Sequence, residues 1–207
     1  MRLGRRIATG GILIALLLVS ALVIYSAWLD HAAAKTVRLS YELLQREPSP
    51  ALNDLRRQFG RELQQSATCS FAGCGYDITL SNRILAQLHL APYTALRSAF
   101  WVRDDVLVEN TLEVWTSTSR ERMIVAYADA KYCKDCTEFD VVPCEGRKSE
   151  IASGSVRVGS RSTPTQKRRA FGFNAECLST PKGCGSVAEL LPTIWDETKD
   201  GMMQCTH

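Results

Sequence analysis

Cysteines are the residues whose spacing could do chemistry. Cys133 and Cys136 form a C-x-x-C pair inside KYCKDC, a pattern that serves half a zinc site, the working end of a thiol oxidoreductase, or two structural disulfide cysteines. Tetrahedral zinc needs four ligands, usually from a second C-x-x-C or a histidine pair. Here Cys144, Cys177, Cys184 and Cys205 make no second knuckle, and the three histidines, His31, His89 and His207, are scattered along the chain. No metal or other cofactor is expected.

The stretch MIVAYADAKYCKDC places Ala130 three residues and Tyr132 one residue ahead of Cys133, and locally resembles a thioredoxin active site. RSTPT, with Pro164, is similar to the loop whose proline flanks that site. The resemblance implies a redox pair, Cys133 and Cys136, with a helix starting at the first cysteine to lower its thiol pKa. The next residues, TEFDVVPCEG, instead alternate like a strand and carry Pro143 where a helix should continue. The two cysteines are therefore expected to be structural, with redox catalysis as the alternative.

An internal echo supports the structural reading. CSFAGCG (69–75) and CLSTPKGCG (177–185) each run from a cysteine through a short polar loop to G-C-G. Glycines beside the second cysteine let the backbone turn tightly enough to join two nearby sulfurs, so Cys69 is expected to pair with Cys74 and Cys177 with Cys184. A phosphate cradle of the G-x-G-x-x-G kind is excluded, because its third glycine position is Ile78 in one copy and Ala188 in the other. G-x-S-x-G, H-E-x-x-H and the P-loop pattern are absent, so no hydrolytic or nucleotide chemistry is indicated.

Seven basic residues lie between 147 and 169 against Glu150 alone, a local excess of +6. Arg157, Arg161, Lys167, Arg168 and Arg169 form a candidate patch for an anionic ligand, although a charged, solvated edge strand explains them as simply. No aromatic residue interleaves the run before Phe171, and the net charge of the chain is only +3. Nucleic acid is not expected as a partner.

The elements that position these residues begin with a membrane signal. Residues 7–29, IATGGILIALLLVSALVIYSAWL, carry no charge; at ~1.5 Å per residue they make a helix of roughly 34 Å, enough to cross a ~30 Å hydrocarbon core. The span is longer than a cleavable signal, so an uncleaved signal-anchor is expected, with cleavage after Ala34 as the alternative. Arg2, Arg5 and Arg6 before it keep the amino terminus cytoplasmic, and Tyr25 and Trp28 mark the far headgroup level. All eight cysteines follow the span, where an oxidising compartment would bridge them. With no N-x-S/T sequon, the expected setting is the bacterial inner membrane with the carboxy-terminal domain periplasmic or extracellular, bound to a protein partner in the envelope.

The expected organisation is a cytoplasmic tail (1–6), a transmembrane helix (7–29), a helical stalk (30–66) and a disulfide-bonded β-rich domain (67–207). The first helix should run on to Pro48, a second should start with Ser49 as N-cap and Pro50 at its first position, and a third should be capped by Ser81. SAFWV, VLV, TLEVWTS, MIVAYA, FDVV, SVRVG and AFGFN then read as strands, and a short helix spans Ser186 to Leu191. The class is α+β, with the strands forming an antiparallel meander closed into a small sandwich or half-barrel. A long amino-terminal helix leading into a disulfide-closed sheet resembles type IV pilins in outline, but the glycine-phenylalanine processing site and acidic fifth residue of that family are missing.

Overall fold

The computed structural model describes residues 2–46, 49–117, 123–132, 144–148, 151–159, 162–195 and 203–204. Helix α1 (Arg2–Leu43) is continuous over 42 residues, as a stretch without proline and rich in leucine and alanine allows. It has two environments. From Gly11 to Ile24 every residue except Leu22 is exposed, whereas Leu29, Ala33, Thr36, Leu39, Ser40 and Leu43 are buried. The helix is long and apolar enough to cross a membrane.

The remaining elements are α2 (Leu52–Phe59), β1 (Gln64–Ser70), β2 (Gly73–Ser81), α3 (Arg83–Gln87), β3 (Thr94–Arg103), β4 (Val106–Ser117), β5 (Met123–Lys131), β6 (Cys144–Lys148), β7 (Ile151–Val158), α4 (Pro164–Ala170), α5 (Val187–Leu190), α6 (Pro192–Trp195) and β8 (Met203–Gln204). The strands form one sheet in the order β1-β2-β3-β4-β5-β7-β6-β8. β1 to β5 make an antiparallel meander. β7 then lies parallel to β5, inserted between it and β6. Among the described residues there is no second sheet, so the α+β class holds while the two layers of a sandwich do not appear.

Alternation along the strands separates two faces. Leu96, Phe100, Leu112, Val114, Ile124, Ala126, Ala128 and Val156 point into the core, which continues into Leu29, Leu39 and Leu43 of α1, Leu55 and Phe59 of α2, Phe171 after α4, and Leu190 of α5. The helices therefore cover one face. A buried polar seam fixes the seat of α1: the Ser40 and Ser98 hydroxyls are 2.8 Å apart, and Asn110 Nδ2 donates to the Ser40 carbonyl at 3.2 Å. The stretch 30–43, expected in a stalk, is thus part of the folded domain.

Several local expectations shift. Ser49 and Pro50 do not open α2; Ala51 precedes it instead, because the backbone here bridges to the β3–β4 turn, with Leu107 N donating to the Pro50 carbonyl and Leu52 N to that of Asp105, both at 2.9 Å. Asn82, not Ser81, caps α3, since Ser81 is still paired as the last residue of β2. AFGFN is not a strand: it is the end of α4 and the turn after it, and Phe171 and Phe173 alternate only because both reach the core. FDVV lies outside the described residues.

Candidate functional site: the open face of the sheet

Residues of opposite parity form the face that the helices leave uncovered. Strand register sets them in rows. One row runs Arg97 on β3, Glu113 on β4, Tyr127 on β5, Ser155 on β7 and Cys144 on β6. The next contains Ala99, Thr111, Asp129 and Arg157, and a third Gly75, Trp101, Glu109 and Lys131. This face is polar and aromatic, where the other is apolar.

Its charges are arranged in pairs. Arg97 Nε donates to Asp77 Oδ2 at 3.1 Å, and Arg157 Nε lies 3.6 Å from Asp129 Oδ2. Burial among its neighbours pushes the Glu113 carboxyl above the usual range; Arg97 beside it pulls it down, and Asp129 adds to the rise. The Tyr127 phenol is raised by burial first and then by the Glu113 and Asp129 charges. Proton affinity is therefore high along the middle of the row.

A shallow cleft of about 220 Å³ opens at one end of this face, lined by Ser66, Gly75, Arg97, Trp101, Glu109 and Thr111. Gly75 keeps it open, since a Cβ there would fall on the Ser66 side chain. The cleft offers a guanidinium, a carboxylate, two hydroxyls and an indole, which suits a polar, hydrogen-bonding group on a partner.

The cysteines and cations singled out from sequence fall elsewhere. Cys69 and Cys74 are at disulfide distance across the β1–β2 turn, their Cα atoms 4.2 Å apart, and Cys177 and Cys184 are at disulfide distance with Cα atoms 5.3 Å apart. These are the two pairs drawn from the echoed loops. Cys144 is also disulfide-bonded and lies on the open face, its Sγ 3.0 Å from Ser155 Oγ. Cys133, Cys136, Cys205 and Arg161 lie outside the described residues. Among the described residues no three of His, Cys, Asp and Glu come together as a metal site.

The basic run is divided by the sheet. Arg157 is on the open face, while Lys167, Arg168 and Arg169 belong to α4 on the covered side, where Lys167 Nζ reaches the Leu44 carbonyl at 3.4 Å. Arg157 and the α4 cations therefore form no common patch, and the three are helical rather than on an edge strand. Pro164, the proline of the thioredoxin-like loop, is the first residue of α4, behind a capping box in which Thr163 and Gln166 satisfy each other's backbone N–H. The open face itself was signalled in sequence by the polar and aromatic alternates of TLEVWTS and AYADAK, but nothing in those strings says which face stays bare.

The chain matches no protein-family model, no curated protein and no solved structure. It is defined by its own features: an α+β protein with one amino-terminal helix apolar and long enough to span a membrane, and two cysteine pairs at disulfide distance.

Proposed function

We propose that the chain is a single-pass membrane protein, amino terminus cytoplasmic, that holds a non-catalytic binding or assembly module on the outer side of the inner membrane and engages a protein partner of the envelope through the open sheet face. The observation that carries this reading is the division of α1: its first part is bare and apolar, and its last part is built into the core of a domain whose far face is polar, aromatic and uncovered. Cysteine pairs at disulfide distance fit an oxidising compartment. The cleft beside Trp101 supplies an anchor of the kind that dominates protein interfaces.

Two measurements test it. Alkaline phosphatase fused after His207 is expected to be active in a bacterial host, and a fluorescent cytoplasmic reporter at the same point would overturn the orientation. Thr111→p-benzoylphenylalanine, on the open face, should give a discrete protein adduct on irradiation of cells; absence of any adduct there would remove the binding role. The redox alternative loses one of its two local similarities with Pro164 at a helix start. A disulfide map under non-reducing conditions that found a lone, readily reduced Cys133–Cys136 bridge would restore it.

A further inference from the structure

The large apolar side chains on the surface of the sheet domain are not evenly spread. Ile84, Leu88, Leu90, Tyr93, Met123 and Ile151 are 37–53% exposed, and all six lie at the end of the sheet from which α1 emerges. Phe71 and Val106 lie at the other end. Contacts of α1 identify the first end. Tyr25 Oη donates to the Ser81 carbonyl at 3.2 Å, Ser26 Oγ to that of Ser179 at 3.4 Å, and the Ser179 hydroxyl to the Asp30 carboxylate. Ser81 closes β2 and leads into α3, Ser117 at the end of β4 donates its N–H to the Tyr93 carbonyl at 2.9 Å, and Ser117, Met123 and Ile151 are neighbours in register.

The loop after Ser179 completes this end. It packs so closely on the α3–β3 connection that a Cβ on Gly183 would meet the Pro92 ring at 3.0 Å. Lys182 on this loop and Arg83 at the start of α3 are exposed. At the tip of the connection His89 takes φ 55, a left-handed conformation uncommon for a residue with a Cβ, and the exposed Leu88 and Leu90 flank it.

The length of the bare helix says what covers this end. The uncharged stretch starts at residue 7 and the first hydrogen bond from the helix to the domain comes at Tyr25, leaving 18 residues. At ~1.5 Å each they span roughly 27 Å, close to the ~30 Å hydrocarbon thickness. No helix remains to act as a spacer, so a spanning α1 brings α3 to the headgroup level, where Tyr25 and Trp28 also sit.

We infer that this end of the domain is a second, interfacial membrane contact: Ile84, Leu88 and Leu90 enter the boundary between headgroups and acyl chains, and Arg83 and Lys182 meet lipid phosphates. The inference rests on the anchor reading above, and the test separates the two. The full chain is reconstituted in phosphatidylethanolamine/phosphatidylglycerol vesicles with p-benzoylphenylalanine replacing Leu17 in the bare helix, Leu88, or Phe71, one at a time, and lipid adducts are read by mass after irradiation. Adducts at Leu17 and Leu88 but not at Phe71 are expected. Adducts at Leu17 alone overturn the docking and leave the anchor standing; none at Leu17 or Leu88 overturns both. Adducts at all three positions, or a Leu88 adduct to a second copy of the chain, overturn a localised bilayer contact.

Discussion

Asn82 shows how one side chain can hold an end of the domain together. It is fully buried, its Nδ2 donates to the Pro92 carbonyl and its Oδ1 accepts the Thr94 N–H, both at 2.8 Å. Asn82→Ala would strand the buried Thr94 N–H and leave the part-buried Pro92 carbonyl only the longer Thr94 Oγ1 contact at 3.4 Å, at a cost of about 1–3 kcal/mol, read as a lower midpoint in thermal melts of the detergent-solubilised chain. Glu113 supplies the pH dependence. Its folded-state carboxyl titrates above the ordinary glutamate value of 4.5 because burial disfavours its charge. The folded state then holds the proton more tightly than the unfolded state, so this group's contribution to stability falls as pH rises from 4.5 through the folded value. Glu113→Gln is expected to melt higher than the parent at pH 7 and to lose that advantage at pH 4. An equal advantage at both pH values would show that the raised proton affinity is not the cause.

The carboxy-terminal turns depend on a covalent link more than on regular structure. Between α4 and the end of α6 no element is longer than four residues, yet Cys177, Leu178, Cys184, Val187, Leu190 and Leu191 are all buried. Such short helices cannot hold themselves in water. Closing a loop across a sequence separation of 7 stabilises by about 2–3 kcal/mol on the chain-entropy account, so Cys177→Ala with Cys184→Ala should lower stability by about that much in chemical denaturation. Proteolysis of the double variant should begin within 177–191. The two helix caps read from sequence, Ser49 and Ser81, are both displaced, whereas Ser186, expected only as the first residue of the last short helix, is the cap of α5, its Oγ accepting the Glu189 N–H at 3.2 Å. Ser49 and Ser81 were outcompeted by partners remote in sequence: the β3–β4 turn in one case and a strand ladder in the other.

Over the whole molecule, α1 is both the apolar helix and a structural wall. Leu29, Leu39 and Leu43, with Leu44 in the turn that ends the helix, are buried, and at ~1.5–3 kcal/mol each they contribute about 6–12 kcal/mol, as much as an ordinary domain's net stability of ~5–15 kcal/mol. A chain starting at Tyr25 should therefore fold and remain monomeric on size exclusion, whereas one starting at Gln45 should be unfolded or aggregated by circular dichroism and light scattering. Equal behaviour of the two would show that α1 is dispensable to the core. The sequence by itself determined the bare helix, the change from helical to strand periodicity, and the two short-range cysteine pairs, because each rests on hydropathy, period or proximity within a few residues. Only the tertiary structure decided that residues 30–43 are core rather than stalk, that the strands form one sheet with β7 inserted beside β5, and that Arg157 is parted from the α4 cations. Those outcomes are made by contacts between residues far apart in the chain, such as Ser40 to Ser98 for α1 and Met123 to Ile151 for β7, which no local pattern encodes.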